Sequence, residues 1–192
     1  MQPIAPLARV YDGDGLMDGP SEEDLIQSAR SGDKLAYEQL LRPALAPAAR
    51  LARVLLGGPG EAEDAVQEAA IRGWKKLDNL RAGAKFQPWF LGIVVRQVRS
   101  IQRDRWWSMI RLPELSSAPS GADDKSLQGE DLRRAVARLP ASQREAVLMH
   151  FYLDQRIQDV ATSLGLSQAA VKSRINRALR QLRVSVASRD LP

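Results

Sequence analysis

The run "LPELSSAPSGADDKSLQG", residues 112–129, divides a chain whose apolar residues otherwise recur at helical spacing. A stretch so rich in Ser, Pro, Gly and Asp has no apolar face to bury, and it reads as a flexible linker. On neither side does a segment alternate with period two for long enough to make a confident strand. The expected fold is therefore all-α, with two small helical domains at residues 21–111 and 130–187 joined by that linker. Residues 1–20 mix Pro, Gly and Asp without either structural period, and they read as a disordered tail that cannot repay its ordering entropy.

Composition narrows the function. At 192 residues and 44% hydrophobic the chain buries one ordinary core or two small ones. The balance of 28 Lys and Arg against 23 Asp and Glu leaves +5, which favours an acidic partner such as nucleic acid or anionic lipid. There is no cysteine and a single histidine, so a disulfide framework, a thiolate zinc site and a cysteine redox sensor are excluded within the chain. That histidine, His150, stands beside Phe151 and Tyr152 and reads as structural. No segment approaches about eighteen uninterrupted apolar residues, and the N-terminus lacks the basic-then-apolar order of a signal peptide. A cytoplasmic protein without membrane insertion, metal or cofactor is expected.

In the first half, "SEED" offers Ser21 as an N-cap with Asp24 in the capping-box position, opening a helix through about Ala29. A second helix begins near "GDKLAYEQLL" and is expected to be interrupted at Pro43 and Pro47, where a further helix starts or kinks. "GGPG" at 57–60 is a stop, followed by a helix over about 61–77, the loop "DNLRAGAKFQP", and a long helix over about 88–106. In the second half, "EDLRRAVARL" forms a short helix stopped by Pro140. "SQRE" at 142–145 is a second capping box opening "AVLMHFYL".

The end of the chain carries the sharpest signal. In "DVATSLGLSQAAVKSRINRALRQLR" a short helix with Val160 and Ala161 meets a turn at Gly165, and Ser167 caps the next helix: the spacing of a helix-turn-helix. At 100° per residue, Val171, Ile175, Ala178, Leu179 and Leu182 form one apolar stripe, with Ser173, Asn176, Arg177 and Arg180 opposite. A charge run is ordinarily a solvated face. Here, though, no Asp or Glu occurs from Val160 through Arg189 to pair with it, which favours DNA. Gln168, Lys172, Ser173, Arg174, Asn176 and Arg177 are the candidates for base-edge and phosphate contacts in a major groove.

Two patterns in the first half add to this. Along "EAEDAVQEAAIRGW" the apolar face is Ala65, Val66, Ala69, Ala70 and Trp74, while Asp64, Gln67, Glu68 and Ile71 group on the other side. An exposed Ile among carboxylates and an amide is either a partner-facing patch or one stray hydrophobe on a solvated face. In the long helix Gly92, Arg96, Arg99 and Arg103 share a face with Trp89, and Lys85 and Phe86 precede it. Cations that track phosphates beside rings that accept stacked bases suit single-stranded nucleic acid. The alternative places at least two of Trp89, Phe90 and Trp106 in the core.

With "AEDAVQEAAIRGWKKL", "FQPWFLGIVVRQVRS", "LPASQREAVLMHFY" and "DVATSLGLSQAAVKSRINRAL" in that order and spacing, the chain over about residues 24–183 resembles a bacterial extracytoplasmic function sigma factor of the sigma-70 superfamily. The resemblance implies that Asp64, Gln67 and Glu68, with Ile71 beside them, dock on the clamp helices of the RNA polymerase largest subunit. It implies that the loop around Asn79–Gln87 and the helix after it open the minus-10 promoter element and hold an extruded base, through Asn79, Arg81, Lys85, Phe86, Trp89, Arg96, Arg99 and Arg103. It further implies that the C-terminal domain reads the minus-35 element as duplex, that the linker lies along the RNA exit path, and that an anti-sigma protein is a possible partner. Two departures stand out: Arg96 where the family commonly has asparagine, and Ala169 and Ala170 where it commonly has glycine and a hydroxyl. Such a protein is not an enzyme; it directs a polymerase to promoters. The alternative is a helix-turn-helix repressor or activator with an N-terminal effector or dimerisation domain, which binds duplex DNA unaided.

Overall fold

The computed structural model describes residues 20–111 and 130–187. The tail and linker readings fall outside the described residues. The helical reading is upheld: α1 (Glu22–Arg30), α2 (Lys34–Leu56), α3 (Pro59–Lys75), a 3-10 turn (Leu77–Asn79) and α4 (Phe86–Arg111) form one group, and α5 (Glu130–Ala137), α6 (Ala141–Val147), a π turn (Leu148–Tyr152), α7 (Ile157–Leu164) and α8 (Gln168–Ala187) the other.

α1 opens on the expected capping box: the Ser21 hydroxyl accepts the Asp24 N–H, and the Asp24 carboxylate accepts the Ser21 N–H, each at 3.2 Å. The expected interruption of α2 does not occur; one helix runs through Pro43 and Pro47. The prolines lie four residues apart, so the carbonyls of Gln39 and Pro43, which lose their N–H partners, share one helix face, and both those residues are exposed to water. Gly57, in the left-handed region at φ 80°, ends α2, and Pro59 starts α3 at once.

α2, α3 and α4 pack together around Leu51, Ala65, Ala69, Phe90, Leu91 and Val94, all buried. The Tyr37 hydroxyl donates to Ala70 O at 2.7 Å, and a Cβ at Gly73 would stand 2.4 Å from the Tyr37 hydroxyl oxygen, so a larger residue there would displace the ring from this bond. Burial raises the Tyr37 pKa, which keeps the phenol a neutral donor. α4 in turn satisfies the end of α2: Gln102 donates to Leu55 O at 2.8 Å and Arg105 to Leu56 O at 3.2 Å.

In the second group α6, α7 and α8 share a core of Ala146, Leu148, Met149, Val160, Val171, Ile175 and Ala178. Gly165, at φ 66°, makes the turn between α7 and α8, and the Ser167 hydroxyl accepts the Ala170 N–H at 3.2 Å. His150 holds the π turn through a 2.8 Å contact from Nδ1 to Gln155 O. The second expected capping box is absent. α6 starts at Ala141 with Pro140 as its cap, and Glu145 turns away from the helix end to a partner on α4.

That partner is part of a contact between the two groups. α4 lies against α7, where the Ser163 hydroxyl donates to Pro88 O at 2.6 Å. Beside it a Cβ on Gly92 would stand 2.4 Å from Ser163 O, so glycine is what allows the two backbones to approach. One turn pair further along α4, Arg99 donates to both carboxylate oxygens of Glu145, with Nε to Oε1 at 2.7 Å.

Candidate nucleic-acid and partner interfaces

Three surfaces follow from how the helices are set. On α8 the apolar stripe Val171, Ile175, Ala178 and Leu182 is buried, which turns Gln168, Lys172, Ser173, Asn176 and Arg177 to solvent and leaves Arg174 at the margin. Arg177 lies back along its own helix, with Nε 3.3 Å from Ser173 O and Nη2 3.3 Å from Ser173 Oγ. Lys172, Ser173, Asn176 and Arg177 therefore share the side of α8 opposite the buried stripe, with Gln168 and Arg174 at its two edges, a geometry that can present the central four to a groove.

The second surface starts in the loop before α4, where Asn79, Arg81 and Lys85 are exposed. Phe86 corrects the sequence reading. Its ring is 1% exposed, stacked on Phe90 and edge-on to Tyr37, because the first turn of α4 needs an anchor in the aromatic core; its side chain is not presented to a ligand. Trp89 is half-buried against Phe86, with centroids 5.7 Å apart, and keeps one part outward. Phe90 is core as one reading anticipated, whereas Trp106 is 57% exposed. Arg96, Arg99 and Arg103 continue the basic line along α4, and Trp89 to Arg103 spans about 20 Å of helix at ~1.5 Å per residue. Burial, then the neighbouring Arg99, lowers the Arg96 pKa. The hydrogen bond to Glu145 raises that of Arg99. Both guanidinium groups stay charged at any physiological pH. Arg99 is nevertheless occupied, since its fork is held by a carboxylate of the other helical group.

The third surface is on α3, where Asp64 and Gln67 are exposed, Glu68 is partly covered, and Ile71 is 51% exposed. Glu68 is paired with Arg72 at 2.7 Å across one helical turn, an i,i+4 pair legible in the sequence and not read there. Sequence reading also missed Gly92, Ser163 and Glu145 as a connected set. The one available signal was a Glu whose local capping role could be satisfied elsewhere.

Comparison with known proteins identifies what carries these surfaces. The model of Sigma-70 region 2 matches residues 37–108, and that of Sigma-70, region 4 matches residues 129–182. A probable RNA polymerase sigma factor, RfaY, of Xanthomonas campestris pv. campestris is 32% identical over 181 residues, covering 85% of this chain; the chain spans 44% of that relative's length. The ECF RNA polymerase sigma factor SigM of Mycobacterium tuberculosis is 30% identical over 166 residues, covering 84% of this chain and 83% of the relative. Among solved structures, the sigma factor RpoE of Bartonella quintana, crystallised with the anti-sigma factor NepR, matches with TM-score 0.64 and 27% identity over 79% of this chain and 96% of that one.

Two helical domains carrying these two regions define an RNA polymerase sigma factor, and the chain belongs to the sigma-70 family. Within it the chain falls in the extracytoplasmic function group, as an alternative sigma factor that directs promoter recognition in transcription initiation. No helix among the described residues is long and apolar enough to cross a membrane.

Proposed function

We propose that residues 21–111 bind core RNA polymerase through Asp64, Gln67, Glu68 and Ile71, and open the minus-10 element with the exposed loop residues Asn79, Arg81 and Lys85, with Trp89, and with Arg96, Arg99 and Arg103 along α4. Residues 130–187 read the minus-35 duplex through Gln168, Lys172, Ser173, Arg174, Asn176 and Arg177. The observation that carries the reading is the pairing of an α8 face that carries no acidic side chain with a separate basic line on α4. One domain suits a duplex groove and the other a melted strand. Phe86 contributes by anchoring Trp89 and the start of α4, not by touching a base.

Unstacking a promoter base costs a few kcal/mol, offset by contacts that exist only once the strand is open. Arg99 holds Glu145 through its Nε and Nη2 edge, so that edge reaches a phosphate only when the pair parts on promoter binding. The chain performs no catalysis and needs no cofactor; the polymerase carries the chemistry. It acts in the cytoplasm, and an anti-sigma protein that covers these surfaces is its natural regulator, as the pairing of the Bartonella relative with such a factor suggests.

The test is capture of bacterial core RNA polymerase by the purified chain, comparing wild type with a Gln67→Ala, Glu68→Ala variant of unchanged helicity. Binding that is lost in the variant supports the reading. No binding by the wild type, together with tight unaided binding to duplex DNA, points instead to a helix-turn-helix repressor.

A further inference from the structure

α1 holds the minus-10 loop from both ends, although none of its residues belongs to that loop. At its first residue, the Glu22 carboxylate accepts the N–H of Phe86 at 2.7 Å, sixty-four positions away in the chain. At its last residue, Arg30 donates to Leu80 O and, at 3.5 Å, to Leu77 O. The loop's own hydrogen bonds are short-range: Leu80 N–H to Leu77 O at 3.0 Å, and Ala84 N–H to Arg81 O at 3.0 Å around Gly83. These fold the loop locally and leave its placement against the rest of the domain to other groups.

The chemistry of each tie matches its site. The first N–H groups of α4 are orphan donors at the positive end of a helix dipole, and Lys85, the preceding residue, has no side-chain acceptor to offer. A carboxylate from outside fills that role and complements the dipole. The carbonyls that close the 3-10 turn need donors, and a guanidinium supplies several from one planar group. α1 is itself fixed, by its capping box and by the burial of Ile26 and Ala29 against α2. Its nine residues therefore act as a rigid spacer, with an acid at one end and a base at the other, that fixes the backbone at both ends of residues 77–86 alongside the buried side chains of Leu77, Leu80 and Phe86.

We infer that Glu22 and Arg30 are positioning residues for minus-10 recognition: they hold the loop bearing Asn79, Arg81 and Lys85 in its strand-binding form before DNA arrives. This rests on the reading of that loop given above. A loop ordered beforehand does not draw its ordering entropy from the binding reaction. Without the ties the same contacts form, but at lower affinity.

The experiment uses the holoenzyme assembled from bacterial core polymerase and the full chain. The probe is a fluorescent single strand selected by the wild-type holoenzyme from a random-sequence pool. Affinity for the strand, affinity for core polymerase and thermal midpoint are compared across Glu22→Ala, Glu22→Gln, Arg30→Met and an Asn79→Ala, Lys85→Ala double variant. Losing one cap-type contact lowers strand affinity by about five- to tenfold in Glu22→Ala and in Arg30→Met. Glu22→Gln, which keeps the acceptor oxygen, restores most of it, and core affinity does not move. Strand affinity within twofold of wild type in both variants overturns the inference, and so does a loss of strand and core affinity together, which marks a merely structural role. If the double variant loses the strand while Glu22→Ala and Arg30→Met do not, the loop reading stands and only the inference falls. If the wild type selects no strand, or the double variant binds it normally, the reading falls and the inference with it.

Discussion

Replacing Gly92 by alanine sets two energies against each other on different equilibria. The added Cβ would lie 2.4 Å from Ser163 O and 3.1 Å from its carbonyl carbon, and both are backbone atoms that no rotamer change can move. A comfortable carbon to oxygen contact is about 3.3 Å or more, so α4 and α7 must part by roughly 1 Å. Forcing a methyl into a packed contact costs about 1–3 kcal/mol, and parting also stretches the Ser163 to Pro88 hydrogen bond, 2.6 Å in length. The same change favours α4 as a helix by about 1 kcal/mol. The variant is therefore expected to stabilise the first domain slightly while lowering the ratio of closed to open arrangements on the order of 5- to 150-fold. Because the chain has no cysteine, single cysteines placed at the exposed positions Glu38 and Arg180 accept a dye pair uniquely. Energy transfer between them should fall in Gly92→Ala, and fall further in Gly92→Leu, with far-UV helicity unchanged. Transfer identical to wild type in both variants would refute the reasoning, since it would mean that the two backbones do not meet in solution as they do here.

Three further outcomes follow from the same geometry. Ser21→Ala removes the hydroxyl's hydrogen bonds in the α1 capping box while keeping the backbone N–H to the Asp24 carboxylate, and it should lower the first domain's stability by about 1 kcal/mol, visible as a midpoint several degrees lower in a thermal melt. Phe86→Ala should cost about 3–5 kcal/mol in denaturant unfolding, whereas Phe86→Leu at reduced temperature should keep strand binding, as expected of a core side chain and not of a stacking platform. Arg174→Ala and Arg177→Ala should each weaken minus-35 duplex binding with core polymerase binding intact. If the lost contact is to phosphate, the salt slope of log affinity falls by about 0.9; if it is to guanine, discrimination falls by about 1–3 kcal/mol.

The parts of this molecule that depend on neighbours within one or two turns were legible beforehand. The Ser21 box, the Gly165 turn, the Ser167 cap and the buried stripe of α8 each follow from spacing alone. What was not legible depends on partners far along the chain. Ser142 and Glu145 have the spacing of a capping box, yet Arg99, forty-six residues away, takes the carboxylate. Pro43 and Pro47 carry a helix-breaking signal, but tertiary packing of α2 against α1, α3 and α4 outweighs it where the lost bonds face water. Phe86 sits beside lysine in a loop and looked like a stacking ring; only the positions of Tyr37 and Phe90 across the fold assign it to the core. The exposure of most polar and charged candidates was legible because exposure is what a helical face with no apolar partner implies. The state of Arg99 was hidden because its partner Glu145 lies forty-six residues away, whereas the pairing of Glu68 with Arg72 stood at i,i+4 spacing and went unread.

The central claim is that this chain gives a polymerase its promoters. Transcription in vitro from the genomic DNA of the source organism, with core RNA polymerase and the purified chain, tests it directly. Transcripts with a small set of shared start sites should appear only when the chain is present and vanish with the Gln67→Ala, Glu68→Ala variant. An unchanged transcript population, with or without the chain, while the chain alone binds duplex DNA tightly, would contradict it.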